Sequence, residues 1–183
     1  MNGYYIEFLK NSSYYINLVQ AEKDIGDILD SIVQLQIVIE SSSGNNIDII
    51  EKNLADLLVK TNKYSSMIHK AIMKLESNAN QFDKIFEEWK GKIGSNFKEP
   101  VVCKLNGASK YLNQPMYYEK ITKVEINARK HISVFVSKYR VGDTFDPNNG
   151  GRTTIRENCG ASVWEYQFNT ETLIECTSSW FFT

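Results

Sequence analysis

The sequence predicts an α+β protein: an N-terminal antiparallel helical hairpin, coiled-coil-like, followed by a small antiparallel β-rich domain of sandwich or barrel type. Three observations carry this. Apolar residues recur at spacings of three and four through most of the first half. The rhythm breaks once, at Ser41-Ser42-Ser43-Gly44-Asn45-Asn46, residues that favour turns over helix interiors. Beyond residue 97 the period shortens to two, with β-branched and aromatic residues at alternate positions.

The first helix, about 4–41, carries Tyr14, Leu18, Ala21, Ile25, Ile28, Ile32, Leu35 and Ile39 on one seam. The second, about 47–90, carries Ile47, Ile50, Leu54, Leu57, Thr61, Tyr64, Ile68, Ala71, Leu75, Asn78, Phe82, Ile85 and Trp89. Continuing the first seam past the turn reaches Asn46 and Asn53, whereas the second uses Ile47 and Leu54. The register slips by one residue at the Ser/Gly/Asn cluster, as two helices folded back on each other require. A turn centred near Gly44 makes facing residue numbers sum to about 89. Ile32 then faces Leu57, and Asn11 faces Asn78 in a polar layer that would fix register. Leu29, Val33 and Val38 flank the first seam; Leu58, Met67, Ile72 and Phe86 flank the second, which ends at Trp89. A lone hairpin cannot cover both flanks, so these residues are expected to meet a partner. That partner would be further copies of the chain, giving a homo-oligomer, or helices of another protein.

The hairpin is assigned to residues 1–92, a connecting segment to 93–118 and the β-rich head to 119–183. Strands are expected at 120–127, 132–137 and 164–168. A further strand at 173–176 would pair back through Asn169-Thr170-Glu171, and Trp180-Phe181-Phe182 would close the head.

Composition narrows the function classes. The 183 residues are 42% hydrophobic and 12% aromatic, which excludes disorder. A net charge of −1 predicts neither a nucleic-acid binder nor a polyanion mimic. Residues 1–97 carry 10 Lys/Arg against 13 Asp/Glu and residues 98–183 carry 11 against 9, a shift that suits a boundary near residues 89–100. The three cysteines, Cys103, Cys159 and Cys176, are too few and odd for a disulfide framework and suit a reducing compartment; a Cys159–Cys176 bridge is compatible with the pattern. The chain opens on neither a charged n-region nor an apolar h-region, and no run approaches the ~18 apolar residues of a membrane span. The expected setting is cytoplasmic, virion-associated, or exported without a cleaved leader.

Three patterns invite chemistry. Asp146, Asn148 and Glu157 sit as oxygen ligands would in a calcium loop, with Gly151 at the sharp turn. Gly150 replaces a ligand there, and a turn-rich hairpin loop explains the stretch better, so neither metal nor cofactor is expected. Cys103 or Cys159 can be paired on paper with His131, while His69 falls on the solvent side of the hairpin. No nucleophile elbow, phosphate loop, HExxH or CxxC accompanies them, so no catalytic residue is expected. The run Lys120, Lys123, Arg129, Lys130, Lys138 and Arg140, interleaved with Tyr117, Tyr118, Phe135 and Tyr139, resembles a single-strand-binding surface. Glu119 and Glu125 interrupt it, and a solvated face or protein interface is the simpler reading.

Trp89-Lys90-Gly91 is a W-x-G tripeptide beside a helical hairpin, which resembles the small helical-hairpin proteins of type VII-like secretion. In that family the tripeptide forms the turn between helices; here it ends the second helix, with Trp89 completing the seam and Gly91 as its cap. The expectation is therefore a non-enzymatic structural or interaction protein, an oligomer-forming coiled coil with a β-rich docking head, as in a component of a phage or other particle. The alternative is a leaderless exported helical protein, a type VII-like substrate or a toxin with a β-rich effector end.

Overall fold

Helix-forming and strand-forming residues separate along the chain, and the computed structural model is α+β accordingly. It describes residues 3–105, 107, 109–168 and 176–182, with 168 and 176–182 in backbone only. Helices α1 (Tyr4–Lys10), α2 (Ser13–Glu40) and α3 (Ile47–Gly91) precede strands β1 (Val101–Val102), β2 (Met116–Ile126), β3 (Ile132–Asp146), β4 (Gly151–Phe168) and β5 (Cys176–Phe182). Two compact units, residues 1–83 and 84–183, divide the chain at a point within α3. Among the described residues no helix is long and apolar enough to cross a membrane.

The single helix expected over 4–41 is two, because Ser12 and Asn11 cap instead of continuing it. The Ser12 hydroxyl donates to the Leu9 carbonyl (2.7 Å) and accepts from the Tyr15 N–H (3.3 Å). Asn11 donates its side-chain amide to the Glu7 carbonyl (2.9 Å), so it closes α1 and does not face Asn78. Short polar side chains compete with the helix backbone in this way. The start of α1 is pinned by Asp83, whose carboxylate accepts from the N–H groups of Tyr5 (2.8 Å) and Ile6 (3.1 Å), two of the orphan donors of a helix end. Tyr5 is fully buried, edge-on to Phe82.

Two side-chain links join α2 to α3: the Tyr15 hydroxyl donates to the Glu76 carboxylate, and His69 Nδ1 meets Glu22 at 2.7 Å. Residue numbers rise along α2 as they fall along α3, and each pair sums to 91, not the expected 89. Shielding repeats every three and four residues. On α2 it falls at Leu18, Glu22, Ile25, Leu29, Ile32, Gln36 and Ile39; on α3 at Leu54, Leu58, Thr61, Ser65, Ile68, Ile72, Leu75, Ala79 and Phe82. Leu29, Leu58, Ile72 and Phe86 were expected on the flanks and are shielded instead. Tyr14, Ile28, Leu35, Ile50, Leu57 and Tyr64 were expected in the seam and are exposed. Ile32 is 3% exposed and Leu57 47%, so they do not share a buried layer. Three apolar positions per heptad recur along both helices, and two of the three are the shielded ones.

In the second unit the sheet order is β1-β2-β3-β4-β5, with every neighbour antiparallel. This is one open meander, and the described residues form neither a second sheet nor a closed barrel, in contrast to the sandwich or barrel expected. Chain length goes into long strands instead: β3 has 15 residues and β4 has 18. Strand β2 begins at Met116, and β1 lies wholly inside the stretch expected as connector. The residues expected as a strand-and-turn at 169–175 lie outside the described residues.

One face of the sheet is the core. Ile121 pairs with Val136, Val124 with Val134 and Ile126 with Ile132, and Ile121, Val124, Ile132, Val134 and Val136 are all buried. Trp164 and Tyr166 extend this face across β4. Trp89 stacks on Phe97 (5.8 Å between ring centres) and leans on Tyr166 (5.9 Å), while Phe97 meets Trp164 at 6.0 Å. Trp89 is thereby packed against residues of its own unit. Residues 94–97 run beside β2, with Gly94 and Phe97 donating to the carbonyls of Ile121 (2.8 Å) and Glu119 (2.7 Å).

Candidate functional site

Six exposed apolar residues of the helical unit fall in a regular series, while others, among them Ile16, Val19, Ile37, Ile49, Val59 and Met73, lie off it. Tyr14, Ile28 and Leu35 recur at multiples of seven on α2, with the smaller, half-buried Ala21 at the intervening place. Ile50, Leu57 and Tyr64 do the same on α3, followed by the half-buried Ala71. Each lies one residue before a shielded position: 14 before 15, 28 before 29, 57 before 58, 64 before 65. The Tyr15–Glu76 and Glu22–His69 links mark the opposite, polar edge of the shielded stripe. Of the residues expected as interaction anchors, Val33, Val38 and Met67 are exposed but lie off this series.

On the sheet, strand alternation divides the basic and aromatic run. Tyr118, Lys120, Lys123, Phe135 and Tyr139 share the face away from the core, whereas Tyr117, Lys138 and Arg140 lie on the core face and Arg129 and Lys130 in the β2–β3 turn. Tyr118 and Tyr139 stack in parallel (5.2 Å, 9°), and the Arg156 guanidinium, from β4, lies 3.8 Å from the Tyr139 ring centre. One face of each tyrosine ring is thus taken by the other, and Arg156 lies over the Tyr139 ring.

The calcium pattern does not converge. The Asp146 carboxylate is used in the β3–β4 turn, accepting from the Asn148 N–H and the Asn149 amide at 2.9 Å each. Glu157 pairs across from Arg140, six residues beyond Gly151, which is roughly 20 Å along the strand. Its oxygens accept from Lys110 Nζ (2.8 Å) and the Tyr111 hydroxyl (2.7 Å). The Lys110 hydrogen bond, then that of Tyr111, holds the Glu157 carboxyl below its usual range. Burial, then the Glu157 bond, pushes Tyr111 up to about 12. Among the described residues no group of three or more His, Cys, Asp or Glu is placed to hold a metal ion.

The cysteines and His131 are likewise kept apart. Cys159 sits at a bulge opposite Lys138 and Tyr139, next to Gly160 (φ +110°), and its sulfur accepts from Arg140 Nε at 3.2 Å. Cys103 lies beside Pro115, before the start of β2, while His131 follows the far end of that strand. Cys159 is free, and Cys176 pairs across from Phe168, nine residues away or about 30 Å along the strand. A disulfide needs Cα atoms within about 7 Å, so the bridge is not formed.

Sequence reasoning missed one polar cluster. Asn127 donates to Ser133 (3.1 Å) and Glu165 (2.7 Å), Ser133 donates to Glu165 (3.4 Å), and His131 Nδ1 lies 3.5 Å from the same carboxylate. The carboxylate stands between serine and histidine, and Ser133 is 2% exposed. In a nucleophilic triad the histidine would take the middle place. The group clamps the β2–β3 turn, where Asn127 Oδ1 also accepts from the N–H groups of Arg129 (2.9 Å) and His131 (3.1 Å). An Asn-x-x-Lys turn before a β-branched run was the available signal.

Trp89-Lys90-Gly91 closes α3, and the left-handed glycine that follows is Gly94 (φ +88°), not Gly91. No protein-family model matches this chain, and no curated protein or solved structure is detectably similar to it.

Proposed function

We propose that this is a non-enzymatic interaction protein. Helices α2 and α3 act as an antiparallel, coiled-coil-like hairpin that assembles with copies of the chain or with partner helices, and the β-rich unit is a docking head. Such a plan suits a component of a phage or other particle. The observation that carries the reading is the uncovered apolar series at Tyr14, Ile28, Leu35, Ile50, Leu57 and Tyr64. Isolated apolar residues are ordinary on a surface, but a series repeated on two adjoining helices is a continuous stripe, and such stripes mark association sites. Taking Ile32 as position d of a heptad, the apolar positions are a, d and g. A strict pair of helices needs a and d alone, whereas a third apolar position is the pattern of a bundle.

The test replaces Ile28 and Leu57 together by Lys. Both are already about half exposed (48% and 47%), so the isolated fold should lose little helix signal and little thermal stability. Association, read as solution mass or partner binding, should be lost. Unchanged association would contradict the proposal.

A further inference from the structure

We propose that the occupant of this stripe is a second copy of the chain, seated antiparallel so that α2 lies on α2 and α3 on α3 in a four-helix bundle. The inference rests on the assembly reading above and names its partner. In an antiparallel helix pair, the g positions of the two helices flank the same side of the core, and the e positions flank the other. The Tyr15–Glu76 and Glu22–His69 links occupy the second side. Ile28 and Tyr64 therefore lie on one side at one level, Leu35 and Leu57 at the next, and Ala21 and Ala71 at the level beyond.

Three properties favour a like copy. The stripe carries no charge on either helix, so two identical stripes meet without repulsion and no charge pattern selects a foreign surface. Six half-exposed side chains, each presenting on the order of 100 Å², offer roughly 600 Å² per copy. That approaches the ~800 Å² per partner of a stable complex. Finally, the stripe is complementary to itself only in one sense. The small Ala21/Ala71 level is one heptad, about 10.5 Å, from the bulky Ile28/Tyr64 level. A two-fold axis between them sets the bulky Ile28/Tyr64 level of each copy on the small Ala21/Ala71 level of the other, the alternation that interiors favour, with Leu35 then opposite Tyr14. A parallel copy would set alanine on alanine and leave a void.

The seating is tested by disulfide trapping in a chain whose three native cysteines are replaced by serine. Ala21→Cys and Ile28→Cys variants, each kept helical and of wild-type solution mass, are oxidised alone and in equal mixture. The mixture should give cross-linked dimer, several-fold above either variant alone, since residue 21 meets residue 28 of the other copy and not its own counterpart. Ala71→Cys with Tyr64→Cys repeats the test on α3. A dimer without cross-linking in either mixture overturns the antiparallel seating and leaves the assembly reading standing. So does a single chain that binds a foreign helical protein through the stripe. A single chain that binds nothing overturns both.

Discussion

Gly142 and Tyr111 illustrate how single residues hold the sheet unit. A Cβ at Gly142 would lie 2.7 Å from the Tyr111 ring and 2.8 Å from Pro115, so a side chain there displaces the strap that carries Tyr111 to Glu157. Gly142→Ala is expected to cost about 1–3 kcal/mol by overpacking, measured by urea unfolding. Ser162 presents the reverse case. Its hydroxyl is buried without a hydrogen-bond partner among the described residues, and Ser162→Ala should leave stability equal or raise it by about 1 kcal/mol. Titration separates the clusters. The Glu76 hydrogen bond, then burial, pushes Tyr15 up to about 12, and burial with the Glu157 bond does the same for Tyr111. Both lie above the unfolded value of about 10, so their contribution is complete below pH ~10 and is lost as pH rises towards 12. The Tyr15→Phe, Tyr111→Phe double variant should flatten that alkaline slope of stability. Asp143, held low by Thr154 and Arg152, and Glu157 act in the opposite sense: their contribution is present above the ordinary carboxylate range and is lost in acid.

At the scale of the element, Ser12 and the heptad stripe set the helical unit. Ser12→Ala removes a hydroxyl that serves both α1 and α2 and should cost about 1 kcal/mol. Ile32→Ala should cost about 2–5 kcal/mol whatever the protein concentration, because Ile32 is shielded within one chain. Leu57→Ala should cost stability only where association occurs, a contrast that thermal melts across a dilution series would detect. The sequence made the spacing of three and four legible, and also the break at residues 41–46, because both depend on residue type alone. Which two of three apolar positions face inward was not legible. Glu22, Gln36 and Ser65 occupy shielded positions, and their polarity pointed to the all-apolar neighbours Ala21, Leu35 and Tyr64 instead. Glu22, with its side chain still 35% exposed, is met there by His69, a pairing across 47 residues that no local pattern contains. The length of β3 was hidden in the same way. Beyond Ser137 its core face carries Lys138 and Arg140, and Arg140 is held by Glu157 and Cys159 from β4.

At the scale of the whole molecule, the proposed association belongs to the helical unit. Trp89, Phe97, Trp164 and Tyr166 close over the sheet core, whereas Ile28, Leu35, Leu57 and Tyr64 stay 47–59% exposed. The α+β class was readable because the hydrophobic period changes once. The sandwich was not, since an open meander and a sandwich share the same strand signals and differ only in which edges meet. The central claim, that the helical unit is built to associate, is tested most directly by the solution mass of the full chain, from light scattering on a sizing column. The account predicts a multiple of 21.0 kDa, and a dimer if the second copy is the occupant. A single 21.0 kDa chain at every accessible concentration, with no affinity for any amphipathic helix, would contradict it.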